Sequence, residues 1–352
     1  MKIFQCQSCS QPVYFENTYC ENCGHTLGYL ASELKLYVII PKGSSFQILN
    51  GNSTYYNYCQ NYAHGVCNWL VPVKSNTSLC EACKLNQTIP NLNNPKHFKA
   101  WQKLEKAKHR LIYSLQRFNL PVKSKIEAPN LGLAFAFLSD ENINSNKEPL
   151  KTGHLNGLIT INLVEADSVH REYIRTQMSE PYRTLIGHFR HEIGHYYWDQ
   201  LVLPNPKFLA SFRENFGDER TDYALAIKKY YSDERSLNWQ QYYVSEYAAS
   251  HPWEDWAETW AHYLHLVDAL ETAFTFGLSI QPNLQNVPSM NMQANFDPYL
   301  ESNFDIILNA CIPLTFAVNS INRSMGQPDL YPFIITQSVG KKLRFIHQLL
   351  HL

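Results

Sequence analysis

The rhythm of apolar and polar positions changes near residue 95. Before it, apolar residues come in short runs broken by turn residues, which predicts short strands and tight turns over the first 90 or so residues. Pro90, Asn91, Asn93, Asn94 and Pro95 form a turn-rich break. After it, Phe98, Trp101, Leu104, Leu111, Leu115 and Phe118 recur at helical spacing, which predicts a helix over 95–118. Its other side carries Lys96, Lys99, Lys103, Lys106 and Arg110, best read as a solvated face. Strands are predicted over 132–138 and 157–164. A long helix follows over 180–203, stopped by Pro204 and Pro206. Further helices are predicted over 218–231, from Pro252 through Trp256, Trp260 and Leu264, and over 298–322 and 332–350.

Composition adds limits. The chain has 352 residues, 45% of them apolar and 17% charged, as in a globular protein with a real core. A formal net charge of −1 gives no argument for nucleic acid or an anionic membrane. The N-terminus lacks the apolar run of a signal peptide, and no window reads as the ~20 apolar residues of a membrane span. The expectation is a cytoplasmic protein without a membrane partner. The sequence leaves its oligomeric state open.

Nine cysteines change the picture, because cytosolic thiols stay reduced. Cys6 and Cys9 form one C-x2-C knuckle, and Cys20 and Cys23 form another. Two such turns complete a tetrahedron of thiolates around Zn²⁺. The second set is looser, with Cys59 and Cys67 followed by the knuckle Cys80 and Cys83. A second structural zinc is expected there, with His64 as an alternative to Cys59. Cys311, in an apolar run, reads as a buried core thiol. The fold class is therefore α+β. Two zinc-ribbon modules in 1–90, with sites at 6–23 and 59–83, precede a mainly helical domain with a small sheet in 91–352.

Residues 191–195 read H-E-I-G-H. On a helix, His191 and His195 project from one face and can grip one metal, while Glu192 turns toward the metal's open side as a general base. A catalytic zinc needs a third protein ligand. Glu254 and Glu258 lie four apart in a stretch holding Trp253, Trp256 and Trp260, and the tryptophans imply a buried helix. Carboxylates on a buried helix need a counter-charge, which Zn²⁺ supplies. Either glutamate can be the ligand, with the other, or His262, in support.

These motifs resemble those of the gluzincin zinc peptidases. The segment from Ser245 to Ser250, leading into Glu254, Ala257 and Glu258, is similar to the E-x-x-A-E ligand helix of lethal-factor-type catalytic domains. That resemblance implies a zincin-like fold, Glu254 as third ligand and Tyr247 as partner of the transition-state oxyanion. The whole chain is also similar to a bacterial family of zinc-ribbon metallopeptidases. The likeness runs through residues 67–71, Gly153 and His154, 159–162, 187–191 and 216–220.

Around the motif, His188 and Asp199 are candidates to support the metal ligands, and His154, Asp218 and Asp222 to approach from loops. The strand at 158–163 is either a core strand or an edge to which an extended substrate pairs. The expected activity is zinc-dependent hydrolysis of peptide bonds. It uses one catalytic and two structural zinc ions, on a peptide or protein substrate captured through the ribbons. The competing reading is a zinc-ribbon module that binds nucleic acid or protein on a metallopeptidase-like scaffold.

Overall fold

Knuckles, caps and aromatic clusters fix the architecture. The computed structural model describes residues 2–139, 152–177, 184–232 and 238–352. The chain divides into two compact units, Lys2–Ser168 and Val169–Leu352.

In the first unit, β1 (Phe4–Gln5) and β2 (Pro12–Val13) form an antiparallel hairpin. A five-stranded antiparallel sheet follows, made of β3 (Leu27–Leu30), β4 (Lys35–Lys42), β5 (Ser45–Ile48), β6 (Tyr56–Tyr58) and β7 (Leu70–Pro72). A bridge between Tyr29 and Trp69 brings the outer strands β3 and β7 together. Both rings are buried and stand 4.8 Å apart, with Phe15 4.9 Å from Tyr29 and 5.4 Å from Tyr113. Tyr113 lies on α1 (Pro95–Arg117), so the small ribbon sheet gains a core by packing on a helix. Asn94 caps that helix, its Oδ1 accepting from Lys96 N at 3.0 Å, with Pro95 in the first turn. The five predicted basic residues of α1 are exposed. Its inner side, however, buries Glu105, Lys108 and His109 beside the expected Trp101 and Leu104.

A second sheet in this unit has the order β10 (Gly153–Leu155), β11 (Leu158–Asn162), β9 (Ala134–Leu138), β8 (Asn86–Thr88). Strand β11 is bonded to β10 on one side and to β9 on the other. It is an interior strand with Ile159 and Ile161 buried, so the expectation that it offers an edge to substrate is corrected. Its β-branched residues signalled a strand, and nothing in them distinguished an interior strand from an edge.

The second unit holds α2 (Ser168–Gln177), α3 (Leu185–Tyr197), α4 (Pro206–Phe216), α5 (Tyr223–Tyr231), α6 (Pro252–Phe276), the hairpin of β12 (Ser279–Ile280) and β13 (Met292–Gln293), α7 (Phe304–Ser324) and α8 (Gln337–Leu350). Thr184 starts α3, its Oγ1 accepting from Gly187 N at 3.0 Å; residues 180–183 of the predicted helix lie outside the described ones. The helix then widens into a π turn over Trp198–Val202, with Leu203 N reaching Trp198 O at 3.1 Å. Pro206 does more than stop it. With Asn205 as cap, it begins α4, a helix the sequence reading missed. By length and composition α7 is apolar enough to cross a membrane, contrary to the window reading, although Ile307, Ala310, Cys311 and Leu314 are buried in the unit.

Helices α3 and α6 pack closely at Gly194. A Cβ built there would stand 3.1 Å from Ala257 Cα and 3.2 Å from Trp260 Cβ. Trp256 Nε1 donates to Gly194 O at 2.8 Å across the same contact. A small residue in one helix thus lets the indoles of the other lock the pair. That contact brings the histidines of α3 to the carboxylates of α6.

Candidate metal centres

The eight N-terminal cysteines gather into two groups of four. Within each, the sulfurs lie within 4.8 Å of one another. In the first, Cys6 and Cys23 are 3.6 Å apart, as are Cys9 and Cys20. In the second, Cys67 and Cys80 are 3.6 Å apart. Tetrahedral zinc with bonds of ~2.3 Å places thiolates roughly 3.8 Å apart, so both groups fit the ion. Tight turns aim the knuckles: Ser10 N donates to Cys6 O, Gly24 N to Cys20 O, and Lys84 N to Cys80 O, at 2.9, 2.8 and 3.0 Å. His64 stays out of the second group, its ring edge-on to Trp101 at 5.7 Å.

The third group is His191, His195 and Glu254. His191 Nε2 is 3.3 Å from His195 Nε2 and 3.0 Å from Glu254 Oε2, and His195 Nε2 is 3.7 Å from the same oxygen. Donors on a tetrahedral zinc with bonds of ~2.1 Å stand about 3.4 Å apart, and the three separations bracket that value. Burial strengthens the case. Glu254 is 2% exposed, and among the described residues its Oε2 has no hydrogen-bond partner beyond the facing imidazoles, an arrangement that suits a shared cation.

A shell of polar groups fixes these donors. His191 Nδ1 is 2.8 Å from Glu258 Oε1, and Ser245 Oγ donates to Glu258 Oε2 at 2.7 Å. The other oxygen of Glu254 accepts from Tyr223 OH at 2.8 Å. Tyr223 was not foreseen. It opens α5 directly after the cap Asp222, and its position in a predicted helix gave no sign that it would reach Glu254. Tyr247 is set in a short 3-10 turn ahead of α6, its ring centre 5.9 Å from that of His191 and 5.6 Å from that of Tyr230.

Residues 97–349 match the model of a family described as "Putative zinc-binding metallo-peptidase", and residues 3–94 match that of a zinc-ribbon domain. The chain belongs to this metallopeptidase family. It is 40% identical over 347 residues to uncharacterized proteins of Mycobacterium tuberculosis (strain H37Rv) and Mycobacterium bovis, covering 99% of this chain and 94% of each relative. No solved structure matches it. Zinc is therefore the metal to place in the cysteine groups.

In this member of the family the remaining candidates fall into distinct environments. Glu192 is buried, and that burial raises its pKa while the neighbouring His191 and His195 imidazoles oppose the rise. His188 is outside the donor trio. Burial likewise raises the pKa of Asp199 in the π turn, against the attraction of His195. Burial opposes ionisation of Glu254, yet the His195 and His191 imidazoles hold its carboxylate well below the ordinary range. Tyr247 is pushed well above the usual phenol value by burial and the Glu254 charge, so its hydroxyl keeps its proton.

Three loop candidates have local duties. His154 Nε2 accepts from Gly157 N at 2.9 Å in a turn of the first unit. Asp218 pairs with Arg220 at 2.7 Å, and Asp222 caps α5 through Leu225 N at 2.9 Å. His262 Nδ1 meets Tyr331 OH at 2.8 Å, so it supports α6 away from the trio. Burial drives the Cys311 thiol pKa upward, as for an inert core residue.

Proposed function

We propose that His191, His195 and Glu254 hold a catalytic zinc ion and that the protein hydrolyses peptide bonds in a peptide or protein substrate, in the gluzincin manner. The observation that carries this reading is the convergence of the three donors at zinc-like separations with Glu192 buried beside them. Bound zinc would supply Lewis acidity, which polarises a carbonyl and acidifies water.

The rest falls to the protein's own groups. Glu192, with its raised pKa, accepts a proton from the attacking water and passes it to the leaving amine. Tyr247 keeps its proton and donates a hydrogen bond to the developing oxyanion. Glu258 fixes the ring of His191, leaving Nε2 to face the metal, and Tyr223 aims Glu254. The two cysteine groups hold structural zinc ions, giving three per chain.

Glu192→Gln tests the mechanism. The variant should keep its metal content and circular dichroism but no longer cleave a proteome-derived peptide library that the wild type cleaves, read by mass spectrometry. Full cleavage by Glu192→Gln refutes the role given to Glu192. His191→Ala should lower bound zinc from three to two per chain; an unchanged count refutes the metal site.

A further inference from the structure

The second cysteine group has a neighbour that four thiolates do not require. His109, on α1, is 3% exposed. It places Nε2 3.6 Å from Cys83 Sγ and 3.9 Å from Cys80 Sγ. Its other ring nitrogen, Nδ1, is 2.7 Å from the backbone oxygen of Glu105. A carbonyl only accepts, so Nδ1 carries the hydrogen and, in the neutral ring, Nε2 turns its lone pair toward the sulfurs. A metal-binding histidine has this same arrangement, with the outer N–H tied to a carbonyl and the inner nitrogen free to ligate.

Distance supports the same reading. A thiolate and an imidazole sharing one tetrahedral zinc, with bonds of ~2.3 and ~2.05 Å, stand about 3.6 Å apart. The surroundings hold the ring in place. Trp69 meets it edge-on at 5.3 Å, and Glu105 is itself pinned by Asn86 Nδ2 at 2.7 Å and Lys108 Nζ at 2.8 Å. Cys83, Glu105 and His109 together satisfy the spacing of a metal-binding trio. With four thiolates already at hand, the imidazole is a reserve.

We propose that His109 is a fifth donor of the second zinc site, taking the coordination position of Cys83 when that thiolate leaves the ion. The site then passes from four sulfurs to three sulfurs and one nitrogen without losing its metal. The competing role is an N–H donor to a zinc-bound sulfur, which would leave the ion dependent on all four cysteines.

Metal content and cobalt spectra of the full chain separate the two. Cys83→Ala should retain the wild-type zinc count, and its Co²⁺ form should show the ligand-field bands shifted to shorter wavelength as nitrogen replaces sulfur. Cys83→Ala/His109→Ala should lose one equivalent, as should Cys59→Ala. Loss of one equivalent from Cys83→Ala alone overturns the proposal. Should that variant fold poorly, His109→Asn keeps an N–H group but has no imidazole lone pair. In the chelator-driven release phase that Cys59→Ala abolishes, it should release zinc roughly 10-fold faster than wild type. An unchanged rate also overturns the proposal.

Discussion

His191 and Glu258 are joined through the nitrogen that faces away from the metal donors: Nδ1 lies 2.8 Å from Glu258 Oε1. Because the carboxylate also accepts from Ser245 Oγ at 2.7 Å, it cannot swing away without taking the acceptor from that hydroxyl, which itself accepts from Ala248 N at 3.1 Å. The pair fixes both the tautomer and the ring orientation of His191. Glu254 then needs only Tyr223 to be set in turn.

Removing this support should weaken the metal site without abolishing it. Glu258→Ala is expected to lower zinc affinity at the third site by about 10- to 100-fold, measured by competition with a chromogenic chelator. Ser245→Ala, which leaves Glu258 in place, should have a smaller effect in the same direction. Wild-type affinity in Glu258→Ala would make the carboxylate a bystander.

Gly194 makes a different demand, for space. Its missing Cβ would meet Ala257 and Trp260 at 3.1 to 3.2 Å, with α6 backbone among the atoms that must yield. Gly194→Ala should destabilise the protein by about 1–3 kcal/mol, despite alanine's better helix propensity, because the helices must part. Urea denaturation checks this, and a stabilised variant would show that the contact relaxes at no cost.

The parts of this site that were legible in the sequence are those that depend on local spacing. The C-x2-C knuckles, the four-residue step from His191 to His195 and the proline that opens α6 each encode geometry within a few residues. Tyr223, His109 and Lys342 were not legible, because their roles arise only when distant segments meet. Lys342 lies 87 residues from its partner Asp255, and His109 26 residues from Cys83. The inner side of α1 misled for the same reason. Periodicity marks apolar residues as core but has no way to mark Glu105 and Lys108, which burial makes acceptable only by pairing them. Strand β11 was visible as a strand, while its interior place in the sheet follows from β10, a three-residue strand too short to announce itself.

The Asp255 and Lys342 pair gives a test of such long-range pairing. Asp255 is fully buried, with Lys342 Nζ 2.6 Å from Oδ2 and also 2.7 Å from Tyr242 O. Burial raises the Asp255 pKa to about 7 against the pull of the lysine. Lys342→Met should cost about 3–5 kcal/mol, since it leaves a carboxyl group without its cation. Adding Asp255→Asn should restore part of that loss. Denaturant midpoints of the single and double variants decide it, and equal stability of all three would show that the pair contributes nothing net.

His262 supplies the pH dependence. The ring is 3% exposed and bonded to Tyr331 OH at 2.8 Å, and burial lowers its pKa from 6.5 to about 4, against the attraction of Glu258. When a pKa falls on folding, the unfolded chain takes up the proton first. The stabilisation is therefore complete above pH 6.5 and is lost as the pH drops toward 4, where the folded protein is protonated as well. Over that window this histidine alone should remove roughly 3 kcal/mol. His262→Gln cannot titrate there, so its stability should fall less steeply between pH 7 and 4 than that of the wild type, whatever its stability at pH 7. Parallel slopes from urea titrations across that range would mean that His262 is protonated as readily in the folded protein as in the unfolded chain.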